Sequence, residues 1–302
     1  MFSSSLSAET QRAWPGLLLA AVGAATLSGK AIIVKLAYRH GVDAVTVIML
    51  RMAFALPLFL LLAWWAGRGQ RALRPRDWGA VTLLGFSGYY LASFLDFQGL
   101  QYISAGLERL VLYLNPTLVL LLGWFLFGRR ASWRQFTAMA VSYAGVVLAF
   151  GQEASLAGPQ VLLGTLLVLG SAVSYALYLV YAGEEVRRLG AMRLTGLATS
   201  VACVLCIAQF FVLRPPQALL AIPAEVLGLS LINALLCTFA PVLMLMMAIE
   251  RIGPAATAQA GMIGPLTTIA LGVLLLDEPF SAGLVAGTAL VLAGVALLNR
   301  WR

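Results

Sequence analysis

Five ionisable side chains stand inside long apolar runs of this 302-residue chain: Lys30, Arg51, Asp96, Glu108 and Arg109. A charge in hydrocarbon costs about 2.5–3.5 kcal/mol or more, so groups of this kind mark a binding or relay function by default. At about 1.5 Å per helical residue, Lys30 lies about 24 Å and Asp96 about 27 Å from one face. Arg51 enters from the opposite face and lies about 12 Å in, and Glu108 and Arg109 lie about one turn from it. All five share one layer. With Lys35 close by, the first half of the chain carries four positive and two negative groups there. The positive surplus suits a carboxylate and points to an amino-acid-like or other organic-acid solute. Glu108 and Asp96 are also candidates to carry a coupling proton. A second reading stays open, in which Lys30 or Arg51 neutralises Asp96 and Glu108 in a static ion-pair cluster.

Neutral polar groups extend this layer. Glu108 and Asn115 are seven apart and share a face of an unbroken helix, and Arg109 and Tyr113 form a second edge at i, i+4. Pro116 frees the carbonyl of Leu112. Ser171, Ser174, Tyr175, Tyr178 and Tyr181 recur at one-face helical spacing. Tyr175 and Gln259 are expected at a cavity, and Tyr89 at a cavity or in packing. The substrate-binding set is therefore Lys30, Glu108, Arg109, Tyr113, Asn115, Tyr175, Gln259 and Tyr89.

The elements that must position these groups follow from composition. The chain is 61% hydrophobic and 11% charged, unlike a soluble protein. About ten apolar runs are long enough to cross a bilayer at roughly 20 residues each. They cover 14–36, 44–66, 78–99, 105–127, 133–150, 162–182, 192–213, 226–249, 255–276 and 282–298. Helices are expected throughout, because isolated strands leave backbone groups unpaired in lipid. The first run is too long for a cleaved signal peptide and lacks a basic leader. Fourteen of the twenty Lys and Arg residues fall in segments on the N-terminal side of the membrane and three on the other. That bias places both termini in the cytoplasm. It also accounts for the net charge of +8 without nucleic acid. Trp64, Trp65, Trp78, Trp133 and Trp301 are expected in an interfacial belt.

The runs are organised by self-similarity. A shift of 149 residues lays Gly41 on Gly190, Pro116 on Pro265, and Ala144-Gly145-Val146 on Ala293-Gly294-Val295. Repeats fix architecture. Each copy holds five spans, an odd number, so the second enters the membrane from the other side. The expected fold is an all-α integral membrane protein of ten transmembrane helices in two inverted five-helix repeats. Repeats of this kind enclose a midplane site in alternating-access transporters. Pro116 and Pro265 fall at equivalent positions and are the expected hinges. The shift lands the five charges on Leu179, Ser200, Leu245, Thr257 and Ala258, so the polarity is not duplicated. Small residues at four-residue spacing (Ala140 and Ala144, Ala289 and Ala293, Gly283 and Gly287) are expected to bring the fifth and tenth spans against a neighbour.

Several chemistries are set aside. Cys203 and Cys206 form C-x-x-C within an apolar run and, like Cys237, read as core thiols. There is no phosphate-binding P-loop motif, and the sole histidine, His40, lies in a connection. Neither a cofactor nor a metal site is expected, and the chain is not expected to be an enzyme. An intramembrane enzyme or receptor-like scaffold remains as the alternative class.

The sequence resembles the drug/metabolite transporter superfamily, in its ten-span type with two EamA-like repeats. The similarity rests on Gly99-Leu-Gln-Tyr-Ile-Ser-Ala-Gly106 with Asn115-Pro116, and on Ala248-Ile-Glu-Arg-Ile-Gly-Pro-Ala255 with Gly264-Pro265. Leu275-Leu-Asp-Glu-Pro-Phe280 is similar to the family's acidic turn. The first repeat departs there with Gly128-Arg-Arg-Ala131, so that turn has a different role in each half. The resemblance implies a secondary transporter in the bacterial inner membrane that exports or exchanges small metabolites, often amino acids. The repeats are expected at 14–150 and 162–299, after a cytoplasmic tail of residues 1–13. The partners are a small-molecule substrate and the lipid bilayer, in a monomer or a homodimer.

Overall fold

The computed structural model describes residues 2–128 and 132–300 and, at the N-terminus, side chains from Trp14 onward. Arg12, Arg129, Arg130, Trp301 and Arg302, counted above with the charges and the belt, lie outside the described residues or side chains. Helices follow one another with short connections, and no strand occurs among the described residues. They are α1 (Phe2–Tyr38), α2 (Ala44–Gly67), α3 (Pro75–Gly85), α4 (Ala92–Gly99), α5 (Ala105–Leu112), α6 (Asn115–Phe127) and α7 (Trp133–Ala157). Then come α8 (Gln160–Leu189), α9 (Ala191–Leu213), α10 (Ala224–Ala234), α11 (Ala240–Ala260), α12 (Ile263–Leu276) and α13 (Ala282–Arg300).

The ends obey local chemistry. Asp43 caps α2 by accepting from the Thr46 amide at 2.8 Å. Ser132 and Gln135 close a capping box on α7 at 3.3 and 2.8 Å, which satisfies donors that the first turn leaves free. α6 ends on Gly128 at φ 60° and α12 on Asp277 at φ 58°. Left-handed backbone suits Gly and is tolerated by Asp. These two residues are 149 apart, so the turn that differs in side chains between the halves keeps one backbone shape.

Several rods are broken, which hydropathy did not foretell. A π-helical turn, Phe86–Leu91, joins α3 to α4, and a second, Leu235–Phe239, joins α10 to α11. Phe86 and Leu235 are again 149 apart. α5 and α6 abut at Tyr113–Leu114, α11 and α12 at Gly261–Met262, and α11 bends at Gly253 with φ 79°. Among the described residues, eight helices or joined helix pairs are long and apolar enough to cross a membrane. The fifth and ninth runs are the exceptions to the ten expected. Arg134, Gln135, Gln152 and Glu153 dilute the ends of α7, and the ninth run is divided between the tail of α11 and the fourteen-residue α12. Trp64, Trp65, Trp78 and Trp133 are all exposed.

Packing joins the two halves. α1 lies against α11 and α12, and α8 lies against α4 and α6. α2 pairs with α9, and α7 with α13. The α7–α13 contact is made by glycines, the expected Gly283 and Gly287 among them, and not by the two alanine pairs expected from spacing. Ala140, Ala144, Ala289 and Ala293 are exposed, whereas Gly145, Gly283, Gly287 and Gly294 are buried. A Cβ on Gly145 would stand 2.5 Å from the Gly287 carbonyl and 2.9 Å from the Val291 nitrogen. Backbone atoms cannot step aside. Gly145→Val is expected to lower stability by about 1–3 kcal/mol or more through overpacking, read as a fall in the thermal midpoint in detergent. A midpoint equal to wild type would refute this contact.

Candidate functional site

The five intramembrane charges converge, but with unequal partners. α1 carries Lys30, the segment after the first π turn carries Asp96, and α5 carries Glu108 at its first turn. Lys30 donates to Asp96 Oδ2 and stands 3.2 Å from Glu108 Oε1. The three side chains are only 14%, 3% and 1% exposed. One ammonium thus faces two carboxyl groups in this triad. Lys30 is therefore engaged by both carboxyl groups.

Arg51 on α2 is the contrast. Its guanidinium lies 4.6 Å from the centre of the Phe97 ring, a cation–π contact. The residue is 4% exposed, and Nε and Nη2 find no hydrogen-bond partner. Asp96 and the thiols of Cys203, Cys206 and Cys237 are within its electrostatic reach. Those three cysteines are buried and free, as core thiols should be.

The break in the fourth span forms a second cluster. Arg109 Nη2 donates to Ser28 Oγ at 3.1 Å, and its guanidinium lies 5.5 Å from the Tyr113 ring centre. The Asn115 amide donates to the Leu112 carbonyl at 2.8 Å, the acceptor that Pro116 leaves free. Asn115 begins a new helix beyond the break, so the single face expected to join it to Glu108 is not formed. Pro265 likewise frees the Gly261 carbonyl, which accepts from Tyr113 Oη. The Gly264 amide bonds the same oxygen at 3.0 Å. A side chain on Gly264 would come 2.7 Å from Arg109 Nη2, so the two breaks touch only because that residue lacks a Cβ. Tyr113→Phe is expected to cost about 1 kcal/mol and to loosen α5 from α12. A thermal midpoint and a flux rate both equal to wild type would count against this stitch.

The tyrosines lie apart from the charges. Tyr89 and Tyr178 share a hydrogen bond at 3.1 Å between their hydroxyls, and the Tyr175 ring stacks on Tyr178 at 5.5 Å. Ser174 donates to the Ser87 carbonyl at 2.7 Å, inside the first π turn. Gln259 is exposed and joins none of these groups.

Two pockets of about 260 Å³ open at opposite ends of the bundle, and neither is lined by the charge triad. Lys35, Tyr38, Arg39, Leu100, Gln101 and Leu276 line one, and Met192, Arg193, Met246 and Glu250 are among those lining the other. Tyr38 joins the first pocket to the charges, since its hydroxyl donates to the Phe97 carbonyl at 2.7 Å. A clasp closes beside that pocket. Lys35 pairs with Glu278 at 3.2 Å, and Glu278 accepts from the Ala105 amide at 2.9 Å. Glu153 accepts from the Ser104 amide at 2.6 Å. Two carboxylates thus sit at the N-terminus of α5, where the helix dipole favours them. At the opposite end, buried Asp77 accepts from Arg188 and from the Arg74 amide, tying α3 to α8. Sequence reasoning missed Glu153 and Glu278 as partners. Glu278 read as part of a turn, and the only hint for either was a carboxylate at the edge of an apolar run.

Long apolar helices built around buried ion pairs define an all-helical integral membrane protein. The EamA-like transporter family matches residues 14–151 and again 162–300, and the chain belongs to that family. It is thereby a member of the drug/metabolite transporter superfamily. Among its relatives, the "uncharacterized transporter YcbK" of Bacillus subtilis (strain 168) is 28% identical over 89% of this chain and 88% of its own length. The "uncharacterized transporter sll1319" of Synechocystis is 26% identical over 83% of this chain and 78% of its own. A crystal structure with 19% identity aligns over 96% of both chains at a TM-score of 0.61, which supports the fold.

Proposed function

We propose that this protein is a secondary transporter that moves small polar solutes, amino-acid-like or organic acids foremost, by alternating access between two inverted five-helix repeats. The observation that carries the reading is an exchange symmetry in the packing. Counting α3 with α4, α5 with α6, and α10 with α11 as single rods makes the tail of α11 with α12 the ninth rod. α1 then meets the eighth and ninth rods as α8 meets the third and fourth. The second-to-seventh and fifth-to-tenth contacts map onto themselves. A two-fold axis in the membrane plane produces this pattern. The recurrence of π turns, left-handed caps and proline breaks at one offset supports it further. The clasped and tied ends supply the two gates such a cycle needs, with both termini cytoplasmic and export or exchange across the bacterial inner membrane. Repeats at 14–150 and 162–299 fit this scheme.

Purified protein in liposomes, tested by counterflow with labelled amino acids and organic acids, checks the proposal. Saturable uptake above protein-free vesicles is expected for at least one solute. Folded protein that carries none of them would remove the reading. Glu108 and Asp96 remain the proposed proton carriers. Glu108→Gln is expected to flatten the dependence of flux on a pH gradient, and an unchanged dependence in both Glu108→Gln and Asp96→Asn would exclude coupling through them.

A further inference from the structure

Arg51 is the one intramembrane cation that the first half leaves without a hydrogen bond, although Lys30, Lys35 and Arg109 each have one. An arginine does not escape this by losing its proton. Buried donors left without acceptors are costly, and an aromatic face offsets only part of that. Asp96 lies within its electrostatic reach, yet the fork of donors on Arg51 meets no acceptor among the described residues and is open to one from a ligand. Its planar geometry matches a carboxylate in bidentate fashion.

The surroundings say what else such a ligand carries. Lys30 lies 6.0 Å and Arg51 4.6 Å from the centre of the same Phe97 ring, so the triad and the guanidinium are within a side-chain length of one another. The triad sets two carboxyl groups against one ammonium, and Asp96 Oδ1 and Glu108 Oε2 are buried without hydrogen-bond partners. A free acceptor pair thus stands near a free donor fork. We infer that Arg51 anchors the carboxylate of a zwitterionic α-amino acid whose ammonium group is received by Asp96 and Glu108. Arg51 is then the specificity-determining residue, and the pocket at Tyr38 is the approach from one side. This rests on the transport reading above and narrows its substrate class.

The test compares L-amino acids with their α-amides, which keep the ammonium group and lose the carboxylate. In liposomes containing the full chain, wild type is expected to take up the acids and to be competed by them at least about tenfold better than by the amides. Arg51→Gln is expected to weaken competition by the acids about thirtyfold or more and to close the gap to the amides, with Arg51→Lys falling between. Arg51→Met in ligand-free detergent is expected to keep or raise the thermal midpoint, because it removes buried donors that have no hydrogen-bond partner. An acid-over-amide preference that survives in Arg51→Gln overturns the anchor while leaving transport intact. A fall of more than about 5 °C in Arg51→Met also overturns it, by showing that the guanidinium holds the fold. Wild-type flux of none of these solutes overturns the anchor, and failure of organic-acid counterflow as well removes the transport reading.

Discussion

Lys30→Met is expected to abolish flux and to lower stability by about 3–5 kcal/mol, the usual cost of breaking a buried charge pair by removing one partner. The reason is arithmetic of charge. Asp96 and Glu108 are almost fully buried, and Lys30 is the ammonium bonded to Asp96 and 3.2 Å from Glu108. Without it, two carboxylates repel each other in a space that excludes water. The prediction has a built-in control. Adding Asp96→Asn and Glu108→Gln to Lys30→Met removes the stranded charges and is expected to restore most of the thermal midpoint. Flux is not expected to return, because the ammonium-receiving carboxylates are gone. A triple variant as unstable as the single one would show that Lys30 holds the helices by its stem, and the charge account would fail.

Much of this site was legible beforehand, and the limits have physical causes. The five charges announced themselves because hydrocarbon tolerates so few, and helical rise alone placed them in one layer. Which cation was engaged by carboxyl groups could not be read, since depth does not give direction around a helix. Lys30 and Arg51 lie at similar heights, yet one points between two carboxylates and the other over a ring. Breaks beside Pro116 and Pro265 were signalled by the missing amide. The π turns were not, because Phe86-Ser-Gly-Tyr-Tyr-Leu91 holds no proline and nothing else in its sequence that stops a helix. Glu153 escaped because its partner, Ser104, is 49 residues away and neither carries a local motif. The glycine seam between α7 and α13 was half found, with Gly283 and Gly287 on the right face and the two alanine pairs on the wrong one.

The second large effect concerns the clasp. Lys35→Cys with Glu278→Cys, bridged by a short bis-methanethiosulfonate, is expected to stop flux almost completely, and a reducing agent to restore it. Alternating access requires this end to open, and the clasp joins α1 to the turn between α12 and α13. Cys203, Cys206 and Cys237 are buried and should be left unmodified. Each single cysteine, treated alike, is expected to retain flux. Full transport in the bridged protein would mean that this end never opens during the cycle.

The π turns carry one more consequence. Each wide turn holds about one residue beyond an α-helical count, and one residue is about 100° of rotation at 3.6 per turn. The segment Ala92–Gly99 is therefore dialled a quarter-circle and more from where an uninterrupted rod would leave it. The bearing that aims Asp96 at Lys30 is set by chain length upstream, over Phe86–Leu91, and not by any contact at the charges themselves. Losing one residue there would keep Asp96 and turn it about 100° away from Lys30.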